Sequence, residues 1–385
     1  MDWRQMLAFC IRLVRTESLP GGEEAAARLA AEEMRKLGYC TRIDAYGSVI
    51  GILPGSGGPT VCFDAHLDTV PVTDRDQWTV DPFGGECREG KIFGRGACDM
   101  KGQAAAMVYG VARAGRAVSR RGDLMVTLTV CEEVMEGVAL QAVLRQHPAQ
   151  VVVVGEATGL RLARGGRGRA ELTVTTRGRA AHSSHPEEGE NAVMLMARVL
   201  QGLANASPPR HPVLGEGIAV VTDVISEPYP GMSVVPHGCR ITIDRRLLPT
   251  DTQQKVLEEL QEVALSAVGS GKAEVRIARG RHRTWTGAEL EGAKYFPAWL
   301  LPEEHPVVQR ARQALRQCGL PGELTTYQYC TNAAGSCGVL GIPTVGFGPG
   351  EERGAHVADE HMSVDQLVEA MAGYEALARE LASGS

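Results

Sequence analysis

The fold is indicated by one stretch, TVCFDAHLDTVPV (Thr60–Val72), which begins as a run of mostly apolar residues and ends at a proline turn. Its first half predicts a buried strand. Because successive side chains of a strand alternate between its two faces, His66 and Asp68 lie on one side, where the strand leaves the core. Such a polar pair is typical either of a surface feature or of one corner of a metal site, and this stretch alone leaves both open.

Length and composition indicate a globular protein of two domains. The chain has 385 residues, 44% of them apolar and 22% charged. These fractions are typical of soluble proteins, and the length exceeds what one hydrophobic core usually serves. A net charge of −6 argues against a general nucleic-acid or membrane binder. We therefore expect neither nucleic acid nor membrane as a partner.

The N-terminal segment and the cysteines indicate a cellular compartment. Charged residues interrupt the apolar positions of MDWRQMLAFCIRLVRTE, which predicts an amphipathic helix and is typical neither of a signal peptide nor of a membrane span. The cytoplasm is therefore the expected location. The ten cysteines are scattered singly without a CxxC pair, which in a cytosolic chain indicates reduced core residues.

Strand and helix patterns alternate through the first part of the chain and predict an α/β fold. Near-continuous apolar runs at 60–68, 123–133 and 149–157 predict strands covered by helices on both faces. After residue 161 the pattern changes, and Arg169–Gly178 alternates as a half-exposed antiparallel strand does. We expect a discontinuous α/β domain, a mixed sheet flanked by helices, from residues 1–167 and 285–385. Residues 168–284 are expected to form an inserted α+β domain.

Polar side chains follow the predicted strands. His66 and Asp68 end the first strand, Glu132 and Glu133 the second, Glu156 the third, and Asp99 stands in GRGACDMKG before an Ala-rich helix. Each motif alone is common outside metal sites. In an open α/β sheet, however, ligands bind beyond the carboxyl ends of the strands, so these groups are expected to gather in one crevice. Crowded carboxylates raise one another's pKa, and one or two zinc, manganese or cobalt ions would relieve this.

The order of these motifs carries a family resemblance. HLDTVP, GRGACDMKG, CEE, GEATG and GAHVADE resemble the motifs of the co-catalytic metallopeptidases, the family of carboxypeptidase G, acetylornithine deacetylase, succinyl-diaminopimelate desuccinylase and aminoacylase. The resemblance covers nearly the whole chain. Two later segments, YFPAWLLPEEHPVV and TNAAGSCGVLGIPTVGFGPG, are most similar to the YgeY-type hydrolases, a branch linked to selenium metabolism.

The resemblance implies two divalent metal ions, zinc foremost, with cobalt or manganese as alternatives. The implied ligands are His66 and Glu156 for one ion, Glu133 and His356 for the other, and Asp99 as a bridge followed by a cis peptide bond. Asp68 would hydrogen-bond the histidine ligand and orient it. Glu132 would be the general base, taking a proton from the attacking water and returning it to the leaving amine.

The late histidine ligand has two candidates in GPGEERGAHVADEHMS. The family pattern is a small residue, a histidine and then a glutamate four positions later. This pattern selects His356 with Glu360, and it leaves His361 as a surface residue.

The inserted domain resembles the family's lid, which also implies a homodimer. GRAAHSSHPEEGENAV matches the lid motif, in which His182 would stabilise the tetrahedral oxyanion and Asn191 would contact the substrate. IDRRLLP selects Arg246 as the clamp for a substrate carboxylate, with an ordinary strand-end arginine as the alternative. The resemblance also implies substrate-facing positions for Ser233 and Asn332, where many relatives carry asparagine and aspartate respectively.

Six arginines form a competing signal for an anionic polymer. They are Arg161, Arg164, Arg167, Arg169, Arg177 and Arg179. Stacking aromatic residues are missing from this segment and the whole chain is acidic, which argues against a nucleic-acid stripe. We interpret residues 161–179 as a solvated hinge region, with binding of an anionic substrate as the alternative.

Together these features predict a metal-dependent hydrolase. It would cleave a C–N amide bond, peptide or N-acyl, in a small substrate that bears a carboxylate. The alternative from a different class is a catalytically silent relative that serves as a binding or scaffold protein. A silent relative normally lacks a ligand or the base, whereas here each of these positions is filled.

Overall fold

The computed structural model describes residues 2–116 and 121–383, and its contacts divide the chain into two compact units. Unit 1 comprises Met1–Gly166, Arg281–Glu291 and Trp299–Ser385, and unit 2 comprises Arg167–Gly280 and Gly292–Ala298. Residues 281–284 thus group with unit 1, although they fall inside the expected insert, and residues 292–298 group with unit 2. The domain bounds 1–167, 168–284 and 285–385 stay a prediction.

The helices and strands follow in chain order. Up to residue 166 they are α1 (Trp3–Val14), α2 (Glu24–Lys36), β1 (Cys40–Ile43), β2 (Val49–Leu53), β3 (Val61–His66), β4 (Glu86–Arg88), β5 (Lys91–Phe93), α3 (Gly102–Gly115), β6 (Leu124–Thr129), α4 (Val138–Gln146), β7 (Val151–Val154) and β8 (Leu162–Gly166). From there to residue 298 they are β9 (Gly168–Arg177), α5 (Ala192–Asn205), β10 (Arg210–His211), β11 (Gly215–Glu216), β12 (Ile218–Glu227), β13 (Gly238–Leu247), α6 (Gln253–Val268), β14 (Ala273–Ile277), β15 (Arg279–Arg283), β16 (Glu289–Ala293) and β17 (Tyr295–Phe296). The last are β18 (Trp299–Leu300), α7 (Pro306–Gln317), β19 (Leu324–Tyr327), β20 (Thr344–Gly346), β21 (His361–Ser363) and α8 (Val364–Leu381). Within the described ranges, no helix has the length and apolar character needed to cross a membrane.

A nine-stranded mixed sheet forms the centre of unit 1. Its order is β1-β2-β6-β3-β7-β20-β8-β18, with β19 beside β8. Strand β3 lies parallel to β6 on one side and to β7 on the other. Every residue of β3, β6 and β7 is buried, as their near-continuous apolar runs predict for strands covered on both faces. This confirms the predicted α/β fold with a mixed sheet flanked by helices.

Helices α3 and α8 belong to the cover of this sheet and pack closely on each other. A Cβ atom placed on Gly110 of α3 would lie 2.4 Å from the backbone oxygen of Met371 in α8. The glycine is therefore needed for the close approach of the two helices. Helix α3 begins at Gly102, three residues after Asp99.

Unit 2 is an antiparallel sheet with two helices. The strand order is β12-β13-β9-β14, with β17 beside β9. Strand β9 alternates buried and less buried residues along almost its whole length, as the sequence pattern predicts for a sheet with one covered face. Helices α5 and α6 supply the apolar cover. Strand β12 lies at the edge of the sheet and is exposed at nearly every residue.

Candidate active site

The parallel strands of unit 1 end at one edge of the sheet, and the predicted site residues lie there. His66 ends β3, Glu132 and Glu133 follow β6, Glu156 follows β7, Asp99 precedes α3, and His356 lies between β20 and β21. We call these six residues the carboxylate cluster. They come from five separate segments of the chain, and the parallel register of β3, β6 and β7 brings three of those segments together.

Asp99 lies at the centre of the carboxylate cluster. Its Oδ1 atom is 3.1 Å from Nε2 of His66, and its Oδ2 atom is 3.0 Å from Nε2 of His356. One carboxylate therefore faces two imidazole rings, one with each oxygen, which is the arrangement that a bridging ligand requires. The peptide bond between Asp99 and Met100 is cis, as the resemblance implies.

The other carboxylates lie around the two histidines. Nε2 of His356 is 3.2 Å from Oε1 of Glu133. Nε2 of His66 is 3.7 Å from Oε1 of Glu156 and 3.9 Å from Oε2 of Glu132. Among the described residues, His66, Asp99 and Glu133 offer ligand atoms that all lie within 4.8 Å of one another. These groups are close enough to hold a metal ion.

Burial and like charge shift the ionisation of this cluster. Burial raises the pKa of Glu132 well above its usual value, and the charges of Glu156 and Glu133 raise it further. Burial and the charge of Asp99 raise the pKa of Glu156 to about 8. For Asp99 burial acts in the same direction, but hydrogen bonds from His356 and His66 outweigh it and lower the pKa.

The donor set fits divalent cations. Four carboxylates share two imidazole rings, and Oε1 of Glu132 is buried without a hydrogen-bond partner in the part of the chain that the structure describes. Buried carboxylate oxygens in such excess need positive charge, either from protons or from metal ions. Carboxylate oxygen and imidazole nitrogen are ligands of zinc, cobalt and manganese. A pair of such ions would match the chemistry of the cluster.

Asp68 holds the loop that follows β6. Its Oδ1 accepts a hydrogen bond from the backbone N–H of Glu132 at 3.0 Å, and its Oδ2 accepts one from the N–H of Glu133 at 2.9 Å. Nδ1 of His66 is 2.9 Å from the backbone oxygen of Asp68 and 3.7 Å from its carboxylate. The hydrogen bond that orients the imidazole is therefore made by the backbone, and the carboxylate positions Glu132 and Glu133 instead.

Glu360 has a role that the sequence motif did not specify. It is buried, and its Oε1 accepts hydrogen bonds from the backbone N–H groups of Cys98 at 2.8 Å and Asp99 at 3.0 Å. Its Oε2 lies 2.6 Å from Nη1 of the buried Arg95. Glu360 thereby fixes the backbone that carries the central aspartate. The sequence pointed to Glu360 only by its position at the end of GAHVADE, because its hydrogen-bond and ion-pair partners lie far away in sequence.

The structure places Asn332 inside unit 1 and away from solvent. Its Nδ2 lies 2.8 Å from Oδ2 of Asp64 and 2.9 Å from Oγ1 of Thr129, and its Oδ1 accepts a hydrogen bond from the N–H of Gly137 at 2.7 Å. Both N–H groups and the oxygen of this amide are therefore engaged within the unit. This geometry does not support the substrate-facing position expected for Asn332.

The remaining predicted residues lie in unit 2. His182 is exposed, and its Nδ1 is 2.7 Å from Oγ of Ser184. The exposed Ser233 lies on the neighbouring segment, where its backbone oxygen accepts from the N–H of Ser183 at 3.0 Å. Asn191 caps α5, with Oδ1 accepting the N–H of Val193 at 2.9 Å. Their roles towards a substrate stay predictions.

Arg246, the predicted carboxylate clamp, is half-buried in unit 2. Its Nε lies 2.9 Å from Oδ1 of Asp244. The neighbouring Arg245 is buried instead, with Nη1 2.8 Å from Oε2 of Glu259 and Nη2 3.4 Å from Oδ2 of Asp251. The choice of Arg246 over Arg245 therefore selects the more accessible guanidinium.

The arginines of residues 161–179 do not form one solvated group. Their partners are Glu351 for Arg161, the backbone oxygen of Leu301 for Arg164, that of Leu214 for Arg167, Asp244 and Glu171 for Arg169, Glu274 for Arg177, and the backbone oxygen of Glu188 for Arg179. Arg167 is only 4% exposed, so the interpretation as a solvated hinge is wrong for this residue. Hydrogen bonds and ion pairs distribute these charges among separate partners.

Comparison with curated proteins identifies relatives over nearly the whole length of the chain. The protein YgeY of Escherichia coli strain K12, described as uncharacterized, is 33% identical over 385 residues, covering 97% of this chain and 93% of that protein. Succinyl-diaminopimelate desuccinylase of Cereibacter sphaeroides strain KD131 is 28% identical over 380 residues, covering 94% of each. The resemblance to the desuccinylases and to the YgeY-type proteins is thus confirmed.

Solved structures show the same fold at low sequence identity. The M20 family metallo-carboxypeptidase Sso-CP2 from Sulfolobus solfataricus matches with a TM-score of 0.76, 17% identity and 99% coverage of each chain. The Bacillus subtilis protein YXEP, described as a dinuclear metal binding peptidase, matches with a TM-score of 0.74, 15% identity, and 100% coverage of this chain and 99% of that one. The model of peptidase family M20/M25/M40 matches residues 62–380. With its motifs, its fold and these relatives in agreement, the chain belongs to peptidase family M20/M25/M40 and is a metallohydrolase.

Proposed function

We propose that the protein hydrolyses the amide bond of a small carboxylate-bearing N-acyl amino acid or peptide, with Glu132 as the general base. One observation carries this proposal. Glu132 is buried, its Oε2 lies 3.9 Å from Nε2 of His66, and its Oε1 has no hydrogen-bond partner among the described residues. A carboxylate in this position is available to take a proton.

Two divalent cations would be held by the cluster. We assign His66 and Glu156 to one, Glu133 and His356 to the other, and Asp99 to both, because each oxygen of Asp99 faces a different histidine. When bound, such cations lower the pKa of water and polarise a substrate carbonyl. Zinc is the proposed metal, with cobalt and manganese as alternatives. The description of the Bacillus subtilis protein as dinuclear supports the number of ions.

The residues around Glu132 suit proton transfer. Burial raises the pKa of Glu132, and a raised pKa makes the carboxylate a stronger proton acceptor. Asp68 accepts a hydrogen bond from the backbone N–H of Glu132 at 3.0 Å and thereby fixes the backbone that carries the carboxylate. Glu132 would accept the proton of the attacking water and donate it to the leaving amine.

The substrate would carry at least one carboxylate. The name of the 28% identical desuccinylase supports an N-acyl substrate of this kind. In unit 2, Asp244 orients the guanidinium of Arg246 through Nε. The two terminal nitrogens of Arg246 would then form a two-point contact with a substrate carboxylate. His182 is proposed to stabilise the oxyanion, and Asn191 and Ser233 to contact the substrate.

The inserted unit is also the proposed surface of a homodimer. Strand β12 is an exposed edge strand, and its valine and isoleucine side chains are accessible, Val224 at 60%. Long apolar edges are usually covered, because their free N–H and C=O groups pair with another strand. The cytoplasmic location and the link to selenium metabolism stay predictions.

Glu132→Gln tests the proposed function. Protein loaded with zinc, cobalt or manganese is assayed against dipeptides and N-acyl amino acids, and metal content is measured on the same samples. The variant should lose turnover and keep its metal, because Glu132 is the base and not a ligand. Glu133→Gln is the matched control, and it should lose metal affinity instead. Hydrolysis that survives in Glu132→Gln contradicts the mechanism. A scaffold protein would show no turnover in any form.

A further inference from the structure

Glu23 is a buried glutamate that the mechanism does not yet use. It lies at the start of α2 in unit 1 and is 0% exposed. Its Oε1 accepts a hydrogen bond from the backbone N–H of Cys131 at 3.0 Å, and Sγ of Cys131 lies 3.4 Å from the same oxygen. Its Oε2 is buried without a hydrogen-bond partner among the described residues.

This position is costly for a carboxylate. Burial raises the pKa of Glu23 and the charge of Asp68 raises it further, while backbone N–H groups around it act in the opposite direction. A buried acid without a basic partner destabilises the fold. An apolar residue would be the cheaper choice if filling space were the purpose. What the carboxylate adds is hydrogen bonding to backbone N–H groups, among them that of Cys131.

Cys131 begins the segment that carries the catalytic glutamate. We call residues 131–137 the base loop. The backbone of Cys131 is left-handed, with φ of 58°, a conformation that is strained for a residue with a side chain and persists only where neighbouring groups enforce it. The next residue is Glu132. A change in the backbone angles of Cys131 would therefore redirect the Glu132 side chain.

The first three N–H groups of the base loop all donate to buried carboxylates. Cys131 donates to Glu23, while Glu132 and Glu133 donate to Asp68. At the other end of the loop, Gly137 donates to the side chain of Asn332. Glu23 and Asp68 lie 45 residues apart in sequence, so one part of the fold holds the peptide group that precedes Cys131 and another holds the two peptide groups that flank Glu132.

We propose that Glu23 is a positioning residue for the hydrolysis, whose Oε1 holds the N–H of Cys131 and thereby sets the position of Glu132. The inference rests on the proposed role of Glu132 as the base. The inference depends on the position of Oε1 of Glu23 and not on the charge of the side chain. The test variants are chosen to separate these two properties.

Three substitutions separate the oxygen from the charge. Glu23→Gln keeps an acceptor oxygen at the same reach and should keep kcat close to that of the unchanged protein. Glu23→Asp keeps the charge but withdraws the oxygen by about 1.5 Å, one C–C bond length. Glu23→Met removes the acceptor at similar volume. The last two should lower kcat about 10-fold to 100-fold, the usual effect of losing an outer partner of a metal site. KM should change little, because no substrate contact is altered.

A second readout is the affinity for metal. Glu133 is a proposed ligand in the base loop, so Glu23→Asp and Glu23→Met should also weaken zinc binding, measured by competition with a chelator. Glu33→Met is the matched control. Glu33 is also buried in unit 1, and it accepts a hydrogen bond from the hydroxyl of Tyr109 at 2.6 Å. This control should lower the melting temperature and leave kcat and zinc affinity unchanged.

Three results would overturn the inference. One is an unchanged kcat in Glu23→Asp, another is a Glu23→Gln variant as impaired as Glu23→Met, and the third is a Glu23→Asp protein that does not fold, which would assign the residue to folding alone. The proposed function fails separately. An unchanged protein without hydrolysis, or an active Glu132→Gln variant, contradicts the proposed function. If only the inference about Glu23 is wrong, the unchanged protein still hydrolyses its substrate and Glu132→Gln is still inactive.

Discussion

Replacing Asn332 by aspartate tests whether this residue serves a buried hydrogen-bond network or the substrate. Its Nδ2 lies 2.8 Å from Oδ2 of Asp64. Burial raises the pKa of Asp64 to about 7, although hydrogen bonds from Thr127 and Asn332 oppose the rise. In Asn332→Asp a second carboxyl group replaces the amide donor. Two buried carboxylates in contact cannot both be ionised, so folding must take up a proton.

The cost follows from the pKa of aspartate in the unfolded chain. With an unfolded pKa of about 3.9, holding one added aspartate protonated lowers the free energy of unfolding by about 4 kcal/mol at pH 7. The folded pKa is raised, so the cost is absent below the unfolded pKa and grows as the pH rises above it. At pH 5 the same calculation gives a loss of about 1.5 kcal/mol in the free energy of unfolding.

Urea unfolding of the metal-free protein at pH 5 and pH 7 measures this difference. The matched control is the double variant Asp64→Asn with Asn332→Asp, which exchanges the acid and the amide. It restores one donor and one acceptor to the contact and should recover most of the lost stability at pH 7. An equal loss at both pH values, or a double variant no more stable than Asn332→Asp, would refute the network. Unchanged stability together with a raised KM would instead assign Asn332 to substrate binding.

Three further predictions concern the late histidine, the helix pair and the edge strand. His356→Ala should abolish hydrolysis and weaken zinc binding, whereas His361→Ala, which alters a ring resting on Phe93, should change neither in the same assays. Gly110→Ala should lower the free energy of unfolding by about 1–3 kcal/mol, because overpacked side chains force neighbours to move, and thermal melting measures it. Val224→Lys should yield folded monomers by analytical ultracentrifugation with little change in melting temperature. A dimer that persists would place the interface elsewhere.

Much of the fold and the centre of the site could be predicted from local sequence. Continuous apolar runs distinguish buried parallel strands from the half-exposed antiparallel strands of unit 2. Because parallel strands end at a common edge, residues that follow them must converge. His66, Glu133 and Glu156 needed no more than this rule, and the match to family motifs added Asp99 and His356.

The partners of the supporting side chains were decided by the tertiary structure. The carboxylate of Asp68 binds the base loop and not the imidazole, Asn332 turns inward to Asp64, and the buried Arg167 lies within unit 2. None of these follows from spacing along the chain. The hydrogen bond between Glu23 and Cys131, for example, joins residues 108 positions apart.

The physical reason is that strand geometry depends on neighbouring residues, whereas the partner of a buried polar atom depends on the packing of the whole fold. Strand direction and side-chain alternation repeat every two residues, so a short segment of sequence determines them. A buried polar atom instead needs a partner within about 3 Å wherever the packed chain supplies one. That choice depends on the simultaneous packing of several elements. The sequence by itself thus determined which residues meet at the edge of the sheet, and only the tertiary structure decided which groups hold them there.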